Sequence, residues 1–353
     1  MIQVKPNIAA MSPYSPPWSN MERKGYLRLD LNEYTQDPPE HVITALKAYI
    51  DENRIQMYPE YSRFLSKLSL YAGVNEDHLI VTNGSDQAIE IILRAFLGYG
   101  DAMVIAQPGF PIFEQVAGVI GAKICGVSYD QNLSGFPYNE FVKAINPETK
   151  LIVIINPDNP TGVAVSLSQI QKILDENPDI PVIVDEAYFE YTGITSLDFL
   201  ETHPNLIITR TFSKAFAMAG LRLGYIIAHP DIISQFYKIR GPFDVNNCAT
   251  LVAETQMDFP DAWKGYVHEV MNVSKPRLER FFDENDVRYY PGAAQFMLVQ
   301  PQDRDGAVQY LKDHGILVRP MVAELIRHTF RMNIGTLEQT EQFIEVYKAF
   351  IEA

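Results

Sequence analysis

Two kinds of apolar pattern alternate along this chain. Short apolar runs bounded by turn residues occur at 103–106, 151–155, 182–184, 206–209 and 225–228. The middle runs are apolar at consecutive positions, as expected of strands covered on both faces. Elsewhere apolar residues recur every three or four positions. Val42, Ile43, Leu46 and Ile50 predict a helix over 40–53, and Ile89, Ile92, Leu93 and Phe96 predict another over 86–97. A third is expected over Leu167–Glu176, and "LIVTNGS" reads as a strand entering a turn. The alternation predicts an α/β fold, a mostly parallel sheet with helices on both faces. In such a sheet the ligand site lies outside the carboxyl ends of the strands.

The flanks have a different texture. Up to residue 39 the chain is rich in Pro, Ser and Asn and reads as an extended arm. Beyond Gly241 a long polar helical region is expected over 261–285, then strands in "AQFMLVQ", "GILVRP" and "FRMNIG", and a closing helix over Leu337–Ile351. The expected organisation is an arm (1–39), a large domain (40–240) and a smaller α+β domain (241–353). A chain of 353 residues also exceeds a typical single core.

Four candidate central strands end in polar residues: "VTNGSD", "IINPDNPTG", "VIVDEAY" and "ITRTFSKAFAMAGLRLG". One such ending is commonly just a solvated strand end; four with compatible chemistry point to a site. Lys214 follows a strand through Thr211 and Ser213, with Arg222 eight residues on. That suits a Schiff-base lysine beside a phosphate site, because a desolvated or cation-flanked lysine becomes nucleophilic. Alone, it would equally suit a surface lysine near a capping serine. Asp185 ends an apolar strand and so needs a cationic partner. A protonated pyridine nitrogen is such a partner, and it makes pyridoxal phosphate an electron sink. Tyr188 lies within reach of the same ring, or is an ordinary core tyrosine. The paired X-Pro steps of "NPDNPTG" can aim Asn159 at a ligand. "TNGSDQAIE" opens a helix where backbone N–H groups could seat a phosphate, with Asp86 a candidate helix cap.

With these segments in hand, the chain resembles the fold-type I pyridoxal-phosphate aminotransferases, and within them the histidinol-phosphate aminotransferases. "NPDNPTG", "DEAY", "TFSKAFAMAGLRLGY" and "FRMNIGT" recur in that family's order and spacing. The resemblance implies that Lys214 carries the cofactor, that Asp185 meets the pyridine nitrogen, and that Asn159 and Tyr188 meet the 3-hydroxyl. It implies that Phe110 of "QPGFPIF" stacks on the ring, and that Gly84, Ser85, Asp86, Thr211, Ser213 and Arg222 surround the phosphate. Tyr58 of "MYPEY" would reach the neighbouring subunit's cofactor, which implies a homodimer with shared active sites. Arg331 would grip a substrate carboxylate. Arg319 of "GILVRP" resembles the arginine that helps hold the substrate phosphate, and Tyr14 of "SPYSPP" resembles a tyrosine on that family's N-terminal arm, both implied as substrate contacts. The family's "LNENP-x-G" start is here "LNEYTQDPP", and Phe110 stands where the subfamily commonly has tyrosine. The implied reaction is amino transfer from L-histidinol phosphate to 2-oxoglutarate. The alternatives are an aromatic amino-acid aminotransferase and a decarboxylase of the same fold.

The resemblance implies a small-molecule amino donor and a 2-oxo acid as partners, and composition agrees only in arguing against nucleic acid. The net charge of −15 argues against nucleic acid, which needs a basic face. It also means that an anionic substrate must be drawn in by a few local arginines against the overall field. The N-terminal stretch lacks a basic start before an apolar run, so no signal peptide is expected, and no run approaches a membrane span. Cys125 and Cys248 lack metal-type spacing and are expected as reduced core fillers in a cytoplasmic protein.

Overall fold

The structure, a computed structural model, describes residues 2–13, 18 and 20–352. Tyr14 lies outside the described residues. Thirteen strands occur among them: β1 (Leu27–Arg28), β2 (Leu79–Thr82), β3 (Ala102–Gln107), β4 (Lys123–Ser128), β5 (Thr149–Ile155), β6 (Val182–Asp185), β7 (Leu206–Thr211), β8 (Gly224–Ala228), β9 (Arg288–Tyr290), β10 (Phe296–Gln300), β11 (Ile316–Leu317), β12 (Arg319–Pro320) and β13 (Phe330–Asn333).

Seven strands form the large sheet in the order β2-β8-β7-β6-β5-β3-β4. Only β8 runs against its neighbours; the pairs β7–β6, β6–β5, β5–β3 and β3–β4 are parallel. Its central strands are buried at consecutive positions, but the period of two still divides them. Val104, Ile152, Val184 and Ile208 join one apolar core, whereas Met103, Val153, Ile183 and Ile207 join another. Both faces being apolar, helices cover both. Gly84–Phe96, Pro111–Ile120 and Pro230–Phe236 lie on the second face, and Ser62–Ala72, Leu167–Glu176 and Asn247–Asp258 on the first. This topology gathers the carboxyl ends of β3, β5, β6 and β7 at one edge, with the start of β8 beside them.

A second, antiparallel sheet has the order β12-β13-β10-β9. The polar region expected as one helix over 261–285 consists of Pro260–Glu269 and Lys275–Glu284, joined through a π-helical turn at Val270–Ser274. "GILVRP" is two strands rather than one. Ile316–Leu317 pairs in parallel with β1, whereas Arg319–Pro320 pairs with β13. Between them the Val318 carbonyl accepts from the Trp18 indole at 3.3 Å. The N-terminal segment is therefore not extended throughout. It holds a short helix, Pro6–Ala9, and supplies β1 to this end of the molecule. Cys125 and Cys248 are half-buried rather than core fillers, and both are free.

Candidate active site

Where β6 ends, the alternation of side chains separates two acids. Asp185 falls on the same face as Ile183 and accepts a hydrogen bond from Thr209 of β7, Oγ1 to Oδ1 2.8 Å. Glu186 turns to the other face and takes both Nε and Nη2 of the buried Arg210, at 3.0 and 2.9 Å. The second acid is thus neutralised within the fold, and the first is held by neutral groups, the Thr209 hydroxyl and the Ala187 backbone. Burial pushes the Asp185 carboxyl up to about 6, the Thr209 bond opposing that rise. An acid left in this state suits a cationic ligand group.

Ser85, Asp86, Phe110, Asn159, Asp185, Tyr188, Thr211, Ser213, Lys214 and Arg222 line one cleft of roughly 220 Å³, joined by Leu31, Glu33, Ala187 and Ala219. Lys214 donates to the Leu31 carbonyl at 3.2 Å. Desolvation, with the Arg331 charge adding to it, lowers its amine to about 8. About a tenth is then neutral, hence nucleophilic, at pH 7, far more than for an ordinary lysine. Tyr188 is buried, its hydroxyl taking the Asn32 amide at 2.9 Å, and burial pushes it up to about 12.

The phosphate-sized end of the cleft is built from backbone and small side chains. The helix Gly84–Phe96 opens directly after β2, with Ser85 in its first turn. Thr211 Oγ1 donates to Ser213 Oγ at 2.9 Å and accepts from the Ser213 amide at 3.1 Å. Gly224, first residue of β8, has no room for a side chain: a Cβ there would lie 2.7 Å from the Ser85 nitrogen. Gly84 lies at φ +75°, and a Cβ on it would meet Arg222 Nη2 at 2.5 Å. Arg222 itself sits at φ +56° and pairs with Asp86 at 2.8 Å. No side chain caps this helix, so Asp86 is not the cap expected of it; its carboxylate goes to the arginine instead.

The loop "NPDNPTG" braces itself. Asn156 exchanges hydrogen bonds with the backbone of Val165, and the buried Asp158 accepts from the Thr161 amide and hydroxyl at 3.1 and 2.5 Å. This leaves Asn159 to face the cleft, where its Oδ1 accepts from Arg331 Nη1 at 2.5 Å. Arg331 Nη2 donates to the Asp30 carbonyl at 2.8 Å. Arg319 stands directly opposite Arg331 in the β12–β13 ladder, so the two side chains leave the sheet on the same face. Arg319 is half-buried, not a free surface charge.

Tyr58 does not join the cleft. It is 74% exposed and stacks on Phe243, ring centroids 4.3 Å apart. The structure also brings in residues 30–33, where Leu31, Asn32 and Glu33 meet or line the site. The only sequence signal for them was the altered "LNEY" itself.

The donor set fits pyridoxal phosphate. The cleft is lined by a buried acid with neutral partners, by hydroxyls and an arginine beside the start of the helix Gly84–Phe96, by an amine of lowered basicity and by Phe110.

Residues 24–346 match the family described as aminotransferase class I and II. Histidinol-phosphate aminotransferase 2 of Legionella pneumophila (strain Lens) is 33% identical over 358 residues, covering 97% of this chain and 96% of its own length. The crystal structure of histidinol-phosphate aminotransferase from Sinorhizobium meliloti in complex with pyridoxal-5'-phosphate superposes with a TM-score of 0.88, 22% identity and 99% coverage of both chains. L-threonine-O-3-phosphate decarboxylase from Porphyromonas gingivalis gives 0.79 at 21% identity, over 93% of this chain and all of its own. Similarities this distant in sequence speak to the fold. Among the described residues, no helix is long and apolar enough to cross a membrane.

Proposed function

This chain belongs to the class I and II aminotransferases, and from that premise we propose that it transfers the amino group of L-histidinol phosphate to 2-oxoglutarate with pyridoxal phosphate as cofactor. The observation that carries the choice of donor is the pairing of Arg319 and Arg331. Like charges directly opposite one another across a ladder repel. Two guanidinium groups leaving one face beside Asn159 make a seat for a doubly charged anion such as a phosphate monoester. The relatives named histidinol-phosphate aminotransferases support the same donor.

When bound, the cofactor supplies an electron sink for the charge left as the substrate α-carbon loses its proton. The chain's own residues do the rest. Asp185 keeps a proton on the ring nitrogen. Ser85, Thr211, Ser213, Arg222 and the helix N–H groups at Gly84 hold the phosphate. Phe110 flanks the ring, while Asn159 and Tyr188 address its hydroxyl. Lys214 carries the cofactor and then, as a free amine, moves the proton at the α-carbon. Arg331 takes the carboxylate of glutamate in one half-reaction and the donor's phosphate in the other. Tyr58, exposed and outside its own cleft, serves the site of a second copy, so the working unit is a homodimer. Two free, half-buried thiols fit a reducing, cytoplasmic setting.

The test is kcat/KM for histidinol phosphate, phenylalanine and glutamate in the parent, Arg319→Ala and Arg331→Ala proteins. Arg319→Ala is expected to lower use of the phosphorylated donor about ten- to a hundredfold, the worth of a charge-assisted contact, and to spare phenylalanine. Arg331→Ala depresses both half-reactions. A parent enzyme that prefers phenylalanine, with Arg319→Ala indifferent to every donor, hands the assignment to an aromatic aminotransferase. Release of carbon dioxide from an O-phospho-amino acid hands it to a decarboxylase.

A further inference from the structure

Residues 30–33 touch three residues of the site that come from three other parts of the chain. The Asp30 carbonyl accepts from Arg331, the Leu31 carbonyl accepts from Lys214, and the Asn32 amide donates to Tyr188. Glu33 lines the cleft beside them. No helix or sheet ladder shapes this segment, because β1 ends at Arg28. Its bend passes through Asn32 at φ +54°, a left-handed conformation that L-residues resist. Asparagine accepts that conformation better than most L-residues. The segment is braced from outside by Arg331 on the Asp30 carbonyl, by Asn333 Nδ2 on the Glu33 carbonyl at 3.4 Å, and by a partly buried arginine. Arg23 Nη2 meets Asp30 Oδ1 at 2.7 Å and Glu33 Oε2 at 2.6 Å, while Nη1 meets Glu33 Oε1 at 3.4 Å. One guanidinium therefore joins the residue before the bend to the residue after it. Asp30 is fully buried, whereas the other arginine near Glu33, Arg28, stands 3.7 Å off and is more exposed.

We propose that Arg23 is a positioning residue of the active site: it clasps Asp30 and Glu33 across the bend at Asn32 and so holds the contacts to Lys214, Tyr188 and Arg331 in one arrangement. Its relevance to turnover rests on the reading of Lys214 as the cofactor-bearing lysine. Arg23 acts in two ways. Its forked geometry fixes the backbone carbonyls that meet Lys214 and Arg331. Its charge is the nearer of two that offset Glu33, which without it faces Lys214 with only the more exposed Arg28, 3.7 Å away, beside it. The charges acting on the Lys214 amine are Arg331, Glu33, Asp86 and Arg222, and of these Glu33 is the one that Arg23 controls.

The two roles separate in experiment. Labelling of Lys214 by an amine-reactive reagent, followed by mass spectrometry against pH, reads the amine in the full chain without cofactor. Steady-state kcat/KM for donor and acceptor reads the geometry. Arg23→Ala is expected to raise the labelling midpoint by about half a unit to one unit, since Glu33 without Arg23 favours the ammonium form. It should also lower kcat/KM for both substrates about ten- to a hundredfold. Arg23→Lys keeps the charge but loses the planar fork that takes both Glu33 oxygens and Asp30 together, so its midpoint stays near the parent's while kcat/KM drops several-fold. Glu33→Gln moves the midpoint down. An Arg23→Ala protein that merely melts earlier, with midpoint and both kcat/KM values unchanged, overturns the proposal. Should that variant fail to fold, an Arg23→Lys protein with parental kcat/KM does the same. The labelling readout does not depend on the cofactor, so a Lys214→Ala enzyme that turned over normally would remove the reading of Lys214 without touching the clasp.

Discussion

Asp185 shows how much a single strand end can decide. Its neighbour Glu186 is equally buried but is neutralised by Arg210, so only Asp185 is left wanting a positive charge. Its carboxyl is pushed up to about 6 by burial and is therefore neutral in the cofactor-free chain below that pH. A neutral acid attracts a protonated ring less strongly. Affinity for pyridoxal phosphate should therefore weaken as pH falls through about 6, a trend that absorbance titration at successive pH values would follow. Asp185→Asn is expected to fold, to bind the cofactor with that pH dependence removed, and to lose far more than tenfold in kcat. A rate within about tenfold of the parent, a barrier change of ~1.4 kcal/mol, would falsify the assignment to the ring nitrogen.

The site's precision comes from where elements begin and end. β8 runs against its neighbours, so its first residue lies at the edge where β2, β6 and β7 finish. Gly224 there lets the strand approach the first turn of the helix Gly84–Phe96, its absent Cβ leaving Ser85's nitrogen and Gly84's carbon unobstructed. Both obstructing atoms are backbone and cannot swing aside. Gly224→Ala should thus cost about 1–3 kcal/mol of stability through overpacking. It should also push the helix N-terminus away from the phosphate seat. Thermal unfolding and cofactor affinity measured together test this: a variant destabilised yet binding cofactor normally would show that the contact serves only packing.

At the scale of the whole molecule, Tyr58 is where the proposed homodimer can be tested. The residue is exposed, stacked on Phe243, and remote from the lining of its own cleft. If each site borrows the partner's Tyr58, a Tyr58→Ala subunit and a Lys214→Ala subunit are each inactive as homodimers. The mixed dimer contains one intact site. Mixing them should restore up to about a quarter of parental turnover, set by the statistical fraction of mixed dimers and their single working site. Sedimentation at assay concentration provides the companion measurement, and a fully active monomer would contradict the shared site.

Read by itself, the chain determined the alternation of strands and helices, because consecutive β-branched residues and three-to-four spacing are local facts that burial then obeys. It also determined the chemistry at the strand ends, since Asp185 closes one strand, Lys214 and Asn159 each follow a strand within a few residues, and a parallel sheet must bring such ends together. What only the tertiary structure decided are the relations between distant segments. Whether Asp86 caps a helix or pairs with Arg222, 136 residues away, depends on how β8 is placed. "GILVRP" reads as one strand until β1 and β13 each claim half of it. Arg23 and Asp30 carried no chemical signature, and Asn32 only its place in "LNEY". Residues 30–32 meet side chains 156, 183 and 301 positions away, and a hydrogen bond across that separation has no trace in local pattern.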